Sequence, residues 1–234
     1  VAKAVTSLSI GSFNDNNDNP NPNFLDWQDR IFQIGNGTKD NARSNAITVL
    51  RNGNTGIGTV NPAAKLHVAD SAVLFTGSPT ILNVGTNYNQ APPAEGVGTR
   101  MMWYPVRGAF RSGFVNGLQW NKDSIGILSF ATGYNTKAMS FYSFASGEQT
   151  QASGFSAFSS GQNTEASGDA SFSAGLGTFA KAIGGFSIGV YNDSSDYPSP
   201  LNTNAGDRIF QIGNGNQNTG LRSNAVTVLR NGNI

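Results

Sequence analysis

Residues 143–172 read SFASGEQTQASGFSAFSSGQNTEASGDASF and spell nearly the same 14-residue phrase twice. Counted along the chain, four residue types recur at this step in one common register. The columns are Phe130, Phe144, Phe158, Phe172 and Phe186; Gly133, Gly147, Gly161, Gly175 and Gly189; Thr136, Thr150, Thr164 and Thr178; and Ala138, Ala152, Ala166 and Ala180. A fixed period with glycine in one column predicts stacked identical units, each of which contacts mainly its neighbours.

One unit contains two short strands and two turns. Residues 143–146 and 150–152 have strand composition, whereas Gly147 and Gly154 lie in the turns between them. A helix is disfavoured, because interior glycine costs about 1 kcal/mol relative to alanine and no apolar stripe of helical period is present. The sequence therefore predicts an all-β roll of 14-residue coils, with adjacent coils about 4.8 Å apart and the phenylalanines stacked in a ladder.

The phenylalanine ladder needs a partner, because the unit offers mostly Ala, Ser and Gly around each ring. Burying a phenylalanine fully is worth roughly 1.5–3 kcal/mol, and five exposed rings in a row would favour aggregation. We expect the ladders of several copies to meet at a common axis. Threefold packing is preferred, and twofold packing remains open.

The phrase S-F-A-S-G-x-x-T-x-A-S-G at 143–154, together with G-F-S-I-G at 185–189, resembles the YadA-like head repeat of trimeric autotransporter adhesins. The likeness covers about residues 129–192, with an echo in S-L-S-I-G at 7–11. It implies a left-handed parallel β-roll in a homotrimer on the bacterial cell surface, extracellular and anchored in the outer membrane by the parent protein. It also implies a non-enzymatic attachment role toward a host, matrix or cell-surface protein or glycan, without a cofactor.

A longer duplication frames the repeat. D-R-I-F-Q-I-G-N-G at 29–37 recurs at 207–215, and S-N-A-I-T-V-L-R-N-G-N at 44–54 recurs as S-N-A-V-T-V-L-R-N-G-N at 223–233. The spacings of 178 and 179 residues place a one-residue difference in the loop between the two blocks. The predicted organisation is the end of a roll (1–13), a β insertion with hairpin and linker (14–68), an irregular β-rich connector (69–128), the roll (129–192), and a truncated second insertion (193–234).

Residues 46–58 carry a hairpin signal. Ala46 to Leu50 alternate as a strand, Asn52-Gly53 accept the positive φ angles of a type I′ turn, and residues 55–58 form the returning strand. Since the second copy stops just past its turn, we expect the chain to be a segment of a longer fibre. Residues 55–68 also resemble a linker of bacteriophage and injection-system tail fibres, which makes a receptor-binding tail fibre the alternative function.

Composition excludes several other classes. The formal net charge is +1, and the 15 Lys and Arg are interspersed with 14 Asp and Glu, so a nucleic-acid partner is not expected. The chain has no cysteine, which removes disulfides and thiolate metal sites. No apolar run approaches the roughly 20 residues that span a bilayer, so we expect no membrane contact within this segment.

Catalysis has little basis in the sequence. The single histidine, His67, lies in an alternating run, and neither a G-x-S-x-G elbow nor a P-loop occurs. We expect no enzyme activity and no catalytic residue. A carboxylate pair for glycoside cleavage could form between subunits, but Glu148 and Glu165 fall in different columns of the repeat, which indicates free variation on a solvated edge.

Two sets of residues are candidates for binding. The aromatic and cationic residues of the connector could form a hot-spot platform for a sugar or a protein, although filling a core is favoured for them. Two aspartate-rich runs could hold calcium, but a polar excursion ended by prolines is the simpler interpretation. The ligand candidates are Trp103, Tyr104, Arg107, Arg111 and Trp120; the calcium candidates are Asp15, Asp18, Asp193 and Asp196. The threonine column offers a third hypothesis, an ice-binding array, which would require it to lie on an exposed flat face.

Overall fold

The structure, a computed structural model, describes residues 2–77 and 90–234. Residues 78–89 of the predicted connector lie outside the described residues. The described chain is all-β with extensive parallel pairing, as predicted, and divides into two compact units, Val1–Phe75 and Thr76–Ile234. In the described ranges, helical structure is limited to two short 3-10 helices, Pro105–Arg107 and Lys122–Ser124.

The first unit is one five-stranded sheet in chain order. Its strands are β1 (Leu8–Ser12), β2 (Arg30–Asn36), β3 (Asn45–Leu50), β4 (Thr55–Ile57) and β5 (Leu66–Val68). The outer pairs β1–β2 and β4–β5 are parallel, and β2–β3 and β3–β4 are antiparallel. The β3–β4 hairpin confirms the prediction for residues 46–58.

The turn of this hairpin differs from the predicted type I′. Gly53 has a φ of +84°, but Asn52 does not have a positive φ, and the Gly53 N–H donates to the carbonyl of Leu50 at 2.9 Å. A type I turn followed by one left-handed glycine closes three-residue hairpin loops in this way. The glycine therefore decides the turn, and Asn52 instead accepts a hydrogen bond from the N–H of Asn54.

The second unit contains two sheets. The strands are β6 (Gly98–Tyr104), β7 (Ala109–Val115), β8 (Phe130–Tyr134), β9 (Lys137–Ala138), β10 (Phe144–Glu148), β11 (Gln151–Ala152), β12 (Phe158–Gln162), β13 (Glu165–Ala166), β14 (Phe172–Leu176), β15 (Phe179–Ala180), β16 (Phe186–Val190), β17 (Arg208–Asn214) and β18 (Asn224–Leu229). The nine-stranded sheet has the order β18-β17-β16-β14-β12-β10-β8-β7-β6, and the four-stranded sheet has the order β15-β13-β11-β9.

Pairing within the repeat follows the 14-residue step. Phe144 lies opposite Phe158, and Ala152 lies opposite Ala166, so each residue meets its own counterpart in the next unit. The chain turns between the sheets at non-glycine residues with left-handed φ angles. These positions are Asn135, Gln149 and Asn163 at one turn and Tyr142, Ser156 and Ala170 at the other, all with φ between 53° and 58°.

The space between the two sheets is narrow and is filled by small side chains. Alanines of both sheets form one buried cluster, and the threonine column is also buried, with each side chain at most 1% exposed. A buried threonine column cannot present a flat array to ice. The exposed face that the ice-binding hypothesis requires is therefore not formed by these threonines. The cluster consists of Ala131, Ala138, Ala145, Ala152, Ala157 and Ala166.

Within this core, whether a threonine hydroxyl has a hydrogen-bond partner depends on the residue five positions before it. Ser159 and Thr164 share a hydrogen bond of 2.7 Å. One unit earlier, the position of Ser159 is taken by Ala145, and the buried hydroxyl of Thr150 has no partner. We expect Ala145→Ser to give Thr150 the missing partner and to raise the free energy of unfolding by about 0.5–1.5 kcal/mol, the usual net value of one hydrogen bond.

The reverse change is the control. Ser159→Ala should lower the free energy of unfolding by about 1–3 kcal/mol, because it leaves the Thr164 hydroxyl buried without its partner. Urea unfolding of both variants beside the parent chain measures the two effects. A loss of stability in both variants would mean that steric fit, and not hydrogen bonding, sets the choice of serine or alanine here.

The two copies of the duplicated sequence, residues 29–54 and 207–233, fold in the same way, and we call each copy a frame. Leu8 lies opposite Phe32 in β1–β2, as Phe186 lies opposite Phe210 in β16–β17, and the antiparallel strands that follow carry irregularities at equivalent places. The polar contacts are also repeated. Arg51 lies 3.4 Å from Asp29 and Arg230 lies 3.4 Å from Asp207; Asn45 and Asn224 donate to the Oε1 of Gln33 and Gln211 at 2.7 and 2.8 Å.

Candidate functional site

The outer face of the nine-stranded sheet carries a continuous column of stacked phenylalanine rings. It is longer than the 14-residue count predicts, because β7 and β17 each add a ring in register. The column consists of Phe110, Phe130, Phe144, Phe158, Phe172, Phe186 and Phe210. Successive ring centroids lie 4.6–5.6 Å apart. We call these seven residues the phenylalanine ladder.

The ladder faces away from the alanine core, because side chains alternate along each strand. In β12, Ser159 is buried, whereas Phe158 and Ser160 on either side of it are partly exposed. Phe186 is the most exposed ring at 36%, and the other six have intermediate exposure. Within one chain, the ladder therefore remains in partial contact with solvent along its whole length.

The columns beside the ladder change character along the sheet. Near β10 and β12 they are polar, with a hydrogen bond of 3.2 Å between Ser146 and Ser160. Toward β16 and β17 they become apolar, and the side chains remain partly exposed. The apolar members are Ala174, Leu176, Ile188, Val190 and Ile212. The sheet face around the ladder therefore combines a polar half with an apolar half.

A second aromatic group lies at the turns next to the ladder. Phe141, Tyr142 and Phe155 are 43%, 51% and 46% exposed. The Tyr142 and Phe155 rings meet edge to face with their centroids 5.2 Å apart. Because Phe144 begins its strand two residues after Tyr142, this aromatic group lies at the turns that lead into the strands of the ladder.

The five ligand candidates of the connector do not form an exposed platform. Trp120 is 0%, Arg111 0% and Tyr104 2% exposed, and the two aromatic residues belong to a hydrophobic cluster with Met102, Ala109, Val115 and Ile125. The reason is the alternation in β6, which turns Met102 and Tyr104 inward while Met101 and Trp103 face out. The expectation of a shared binding platform is therefore corrected to a core role for three of the five.

The two arginines of that set are engaged by backbone carbonyls. Arg111 occupies the position of Ala131 in the next strand, and its guanidinium donates to the carbonyls of Phe110, Ser129 and Ala138 at 2.8–3.0 Å. Burial, with a smaller contribution from the charge of Arg107, lowers the pKa of Arg111 to about 9. Arg107 itself donates to the carbonyls of Lys122 and Ile125.

The four calcium candidates are paired with cations of the frame. The pairs are Asp15 with Arg30 at 2.6 Å, Asp18 with Lys3 at 3.4 Å, Asp193 with Arg208 at 3.1 Å, and Asp196 with Arg208 at 3.7 Å. The backbone N–H of Ser195 donates to Asp193 at 2.8 Å and, with Arg208, lowers the pKa of that carboxyl. These contacts favour the interpretation of both aspartate runs as the bases of polar excursions.

Comparisons of the chain with protein-family models, with curated proteins and with solved structures found no match. Over residues 2–77 and 90–234, no three His, Asp or Glu side chains form a group that could hold a metal ion. In the same ranges no helix is long and apolar enough to cross a membrane. His67 accepts a hydrogen bond at Nδ1 from the N–H of Ala63 at 3.3 Å.

Proposed function

We propose that this chain is a non-enzymatic segment of a trimeric bacterial surface fibre that attaches the cell to a host, to matrix or to other cells. In this proposal the 14-residue repeat is a left-handed parallel β-roll, and three copies pack their phenylalanine ladders around a common axis. The observation that carries the proposal is the ladder itself, seven stacked rings held in register on one sheet face and left partly exposed by the chain that bears them.

The free energy available from covering the ladder is comparable with the cost of association. Complete burial of a phenylalanine contributes roughly 1.5–3 kcal/mol, so covering a ring that is already partly buried contributes about 1 kcal/mol. Seven rings then contribute on the order of 7 kcal/mol per chain, against an association cost of about 4–15 kcal/mol. The apolar residues around Leu176, Ile188 and Val190 enlarge the same surface and supply part of the remainder.

Threefold packing suits a narrow sheet with a single aromatic column. Three such faces can meet at one axis, where each ring contacts the rings of two neighbours. Two chains packed face to face would also bring the aromatic columns together, but each ring would then contact the rings of only one neighbour. We therefore propose a trimer and treat a dimer as an outcome of the test.

The mass in solution tests assembly. Light scattering on the sized peak should give three times 24.6 kDa, about 74 kDa, and the melting temperature should rise with protein concentration. A mass near 49 kDa would replace the threefold axis with a twofold one. A monomer of 24.6 kDa that melts independently of concentration would contradict the shared ladder.

The attachment function needs its own test. Beads coated with the intact trimer should adhere to immobilised matrix proteins or to cell-surface glycans, and beads coated with an unrelated trimer of similar charge should not. A well-folded trimer that binds no such surface would contradict attachment and leave only a spacer role. The alternative, a tail fibre, is distinguished by the remainder of the parent gene, which would end in a fibre tip instead of a membrane anchor.

A further inference from the structure

The first excursion, residues 14–29, exposes large apolar side chains that its frame does not require. Phe24, Leu25 and Trp27 are 71%, 65% and 73% exposed. Three large exposed apolar side chains within four residues of an otherwise polar loop indicate an interaction site. The duplicated frame makes it possible to ask whether these residues are needed for folding.

The second excursion, residues 192–207, has the same length and answers that question. At the position equivalent to Trp27 it carries Ala205, yet the backbone makes the same hydrogen bond. Asn52 N–H donates to the carbonyl of Trp27 at 3.0 Å, and Asn231 N–H donates to the carbonyl of Ala205 at 3.0 Å.

The turn that follows is also shared. Asp26 N–H donates to the carboxylate of Asp29 at 3.0 Å, and Asn204 N–H donates to that of Asp207 at 2.8 Å. The turn therefore forms with alanine as well as with tryptophan at the same backbone position. The indole of Trp27 is thus dispensable for the local fold, and its exposure requires another explanation.

A cavity of about 400 Å³ lies in the first excursion and is lined by the two residues that flank Trp27 in the chain, Asp26 and Gln28. Apart from Pro20, its lining residues carry planar hydrogen-bonding side chains. They include Asn19, Asn21, Asp26, Gln28, Asp29 and Arg30. Trp27 lies in the chain between two of them, Asp26 and Gln28. In the second excursion, Asn204 and Gly206 replace these two, so the tryptophan and part of the polar lining differ together.

Two of the lining side chains are available to a ligand. In the described part of the chain, the side-chain amides of Asn19 and Gln28 make no hydrogen bond to protein, whereas Asp29 is occupied by Arg51 and by the Asp26 N–H. An amide offers both donors and an acceptor to a hydroxyl group. The lining also includes three carboxylates, of Asp18, Asp26 and Asp29, and one guanidinium, which Asp15 already pairs at 2.6 Å.

We infer that this cavity and Trp27 form a binding site for a neutral glycan, with the indole stacking on the apolar face of a pyranose ring and Asn19 and Gln28 bonding its hydroxyls. The cavity volume lies within the range of small-ligand sites. The excess of carboxylates disfavours sialylated or sulfated sugars. A protein partner would need a larger apolar core, with fewer charges beside the tryptophan.

The inference deepens the attachment part of the proposed function and rests on it, but not on trimer formation, because every residue of the site belongs to one chain. The test is an array of immobilised oligosaccharides, neutral ones built from hexose and N-acetylhexosamine units and acidic ones carrying sialic acid or sulfate. The full chain is applied after its mass has been measured. Binding to neutral members is expected.

The variants isolate the site. Trp27→Ala should weaken binding to the neutral glycans at least tenfold. A variant in which residues 24–28 take the second excursion's sequence, Asn-Thr-Asn-Ala-Gly, should abolish binding while keeping its melting temperature, because that sequence already forms the same turn in this chain. Tyr197→Ala, which removes a side chain that is 94% exposed in the second excursion, is the matched control and should bind as the parent does.

Three results would overturn the inference: no bound neutral glycan, binding confined to acidic glycans or to proteins, or full binding by the five-residue variant. None of them concerns the solution mass, so a trimer that fails on the array leaves the assembly proposal standing. A monomer that binds neutral glycans through Trp27 would support the site and contradict the assembly.

Discussion

Replacing Gly161 with alanine is expected to lower the free energy of unfolding by more than about 3 kcal/mol, because strain and overlap act together. Gly161 has a φ of +114°, which residues with a Cβ rarely adopt. A Cβ placed there would lie 2.1 Å from the carbonyl oxygen of Gly175 in the next unit. That oxygen is backbone in a continuous parallel ladder, so it can withdraw only if the adjacent strands separate.

Gly184 provides a matched control for the same chemical change. Its φ is +63°, and a Cβ there would have nothing within 4 Å. The equivalent turn position one unit earlier is Ala170, with a φ of 54°. Gly184→Ala should therefore cost only about 1 kcal/mol, the usual penalty for a left-handed alanine. Urea unfolding compares the two, and equal losses would mean that neighbouring units are not as tightly apposed as this register requires.

Replacing Phe158 with aspartate is expected to weaken assembly at least 100-fold under the proposed function. Phe158 lies at the centre of the ladder, 4.7 Å from the rings of both Phe144 and Phe172. In a trimer, the change would place three carboxylates close together in an apolar core, which costs several kcal/mol. The concentration needed for half-assembly should rise by at least 100-fold, as measured by light scattering over a dilution series.

Two further variants keep this experiment interpretable. Phe158→Ser removes the ring without adding a charge and should weaken assembly less than aspartate does. Tyr197→Asp adds the same charge at a side chain that is 94% exposed and should leave the mass unchanged. Far-UV circular dichroism checks that each chain is folded. A folded Phe158→Asp protein that assembles as the parent does would remove the ladder from the interface.

The repeat was the part of the fold most open to prediction from sequence. A strict 14-residue period forces each residue opposite its own counterpart, so the stacking of Phe130, Phe144 and Phe158 followed from counting, and the observed ring separations of 5.1 and 4.7 Å are close to the strand spacing. The alignment of the alanine and threonine columns follows from the same period, because residues at equivalent positions share one face, but the burial of that face does not follow from the period.

The fixed 14-residue step does not find the two outermost rings of the phenylalanine ladder. Phe110 lies 20 residues before Phe130, and Phe210 lies 24 residues after Phe186, so a fixed step misses both. The signal that finds them is the four-residue phrase Phe-x-x-Gly, which places glycine where the strand approaches its neighbour closely. The phrase is not sufficient by itself, since it also occurs at residues 114–117 outside the ladder.

The candidate site was harder to predict because burial depends on which face of a strand meets the core. Met101 to Tyr104 alternate in exposure, but the sequence alone does not show which alternate pair faces the core. Only the packing of β6 shows that Tyr104 is buried and Trp103 is exposed. Trp27 was missed for a related reason. An aromatic residue in a loop is ambiguous until a second copy of the frame shows that the loop folds without it.

The direction of the hydrogen bonds has a mechanical consequence. Because β6 and β18 are the two edges of the nine-stranded sheet, tension transmitted through the chain on either side of the stack acts across the strands and along the hydrogen bonds that join them. Each boundary between neighbouring strands then carries the whole force. A single chain would therefore separate first at its weakest strand boundary. In the proposed trimer, three sheets bound along their length would have to separate together, so the assembly would withstand a larger force than one chain.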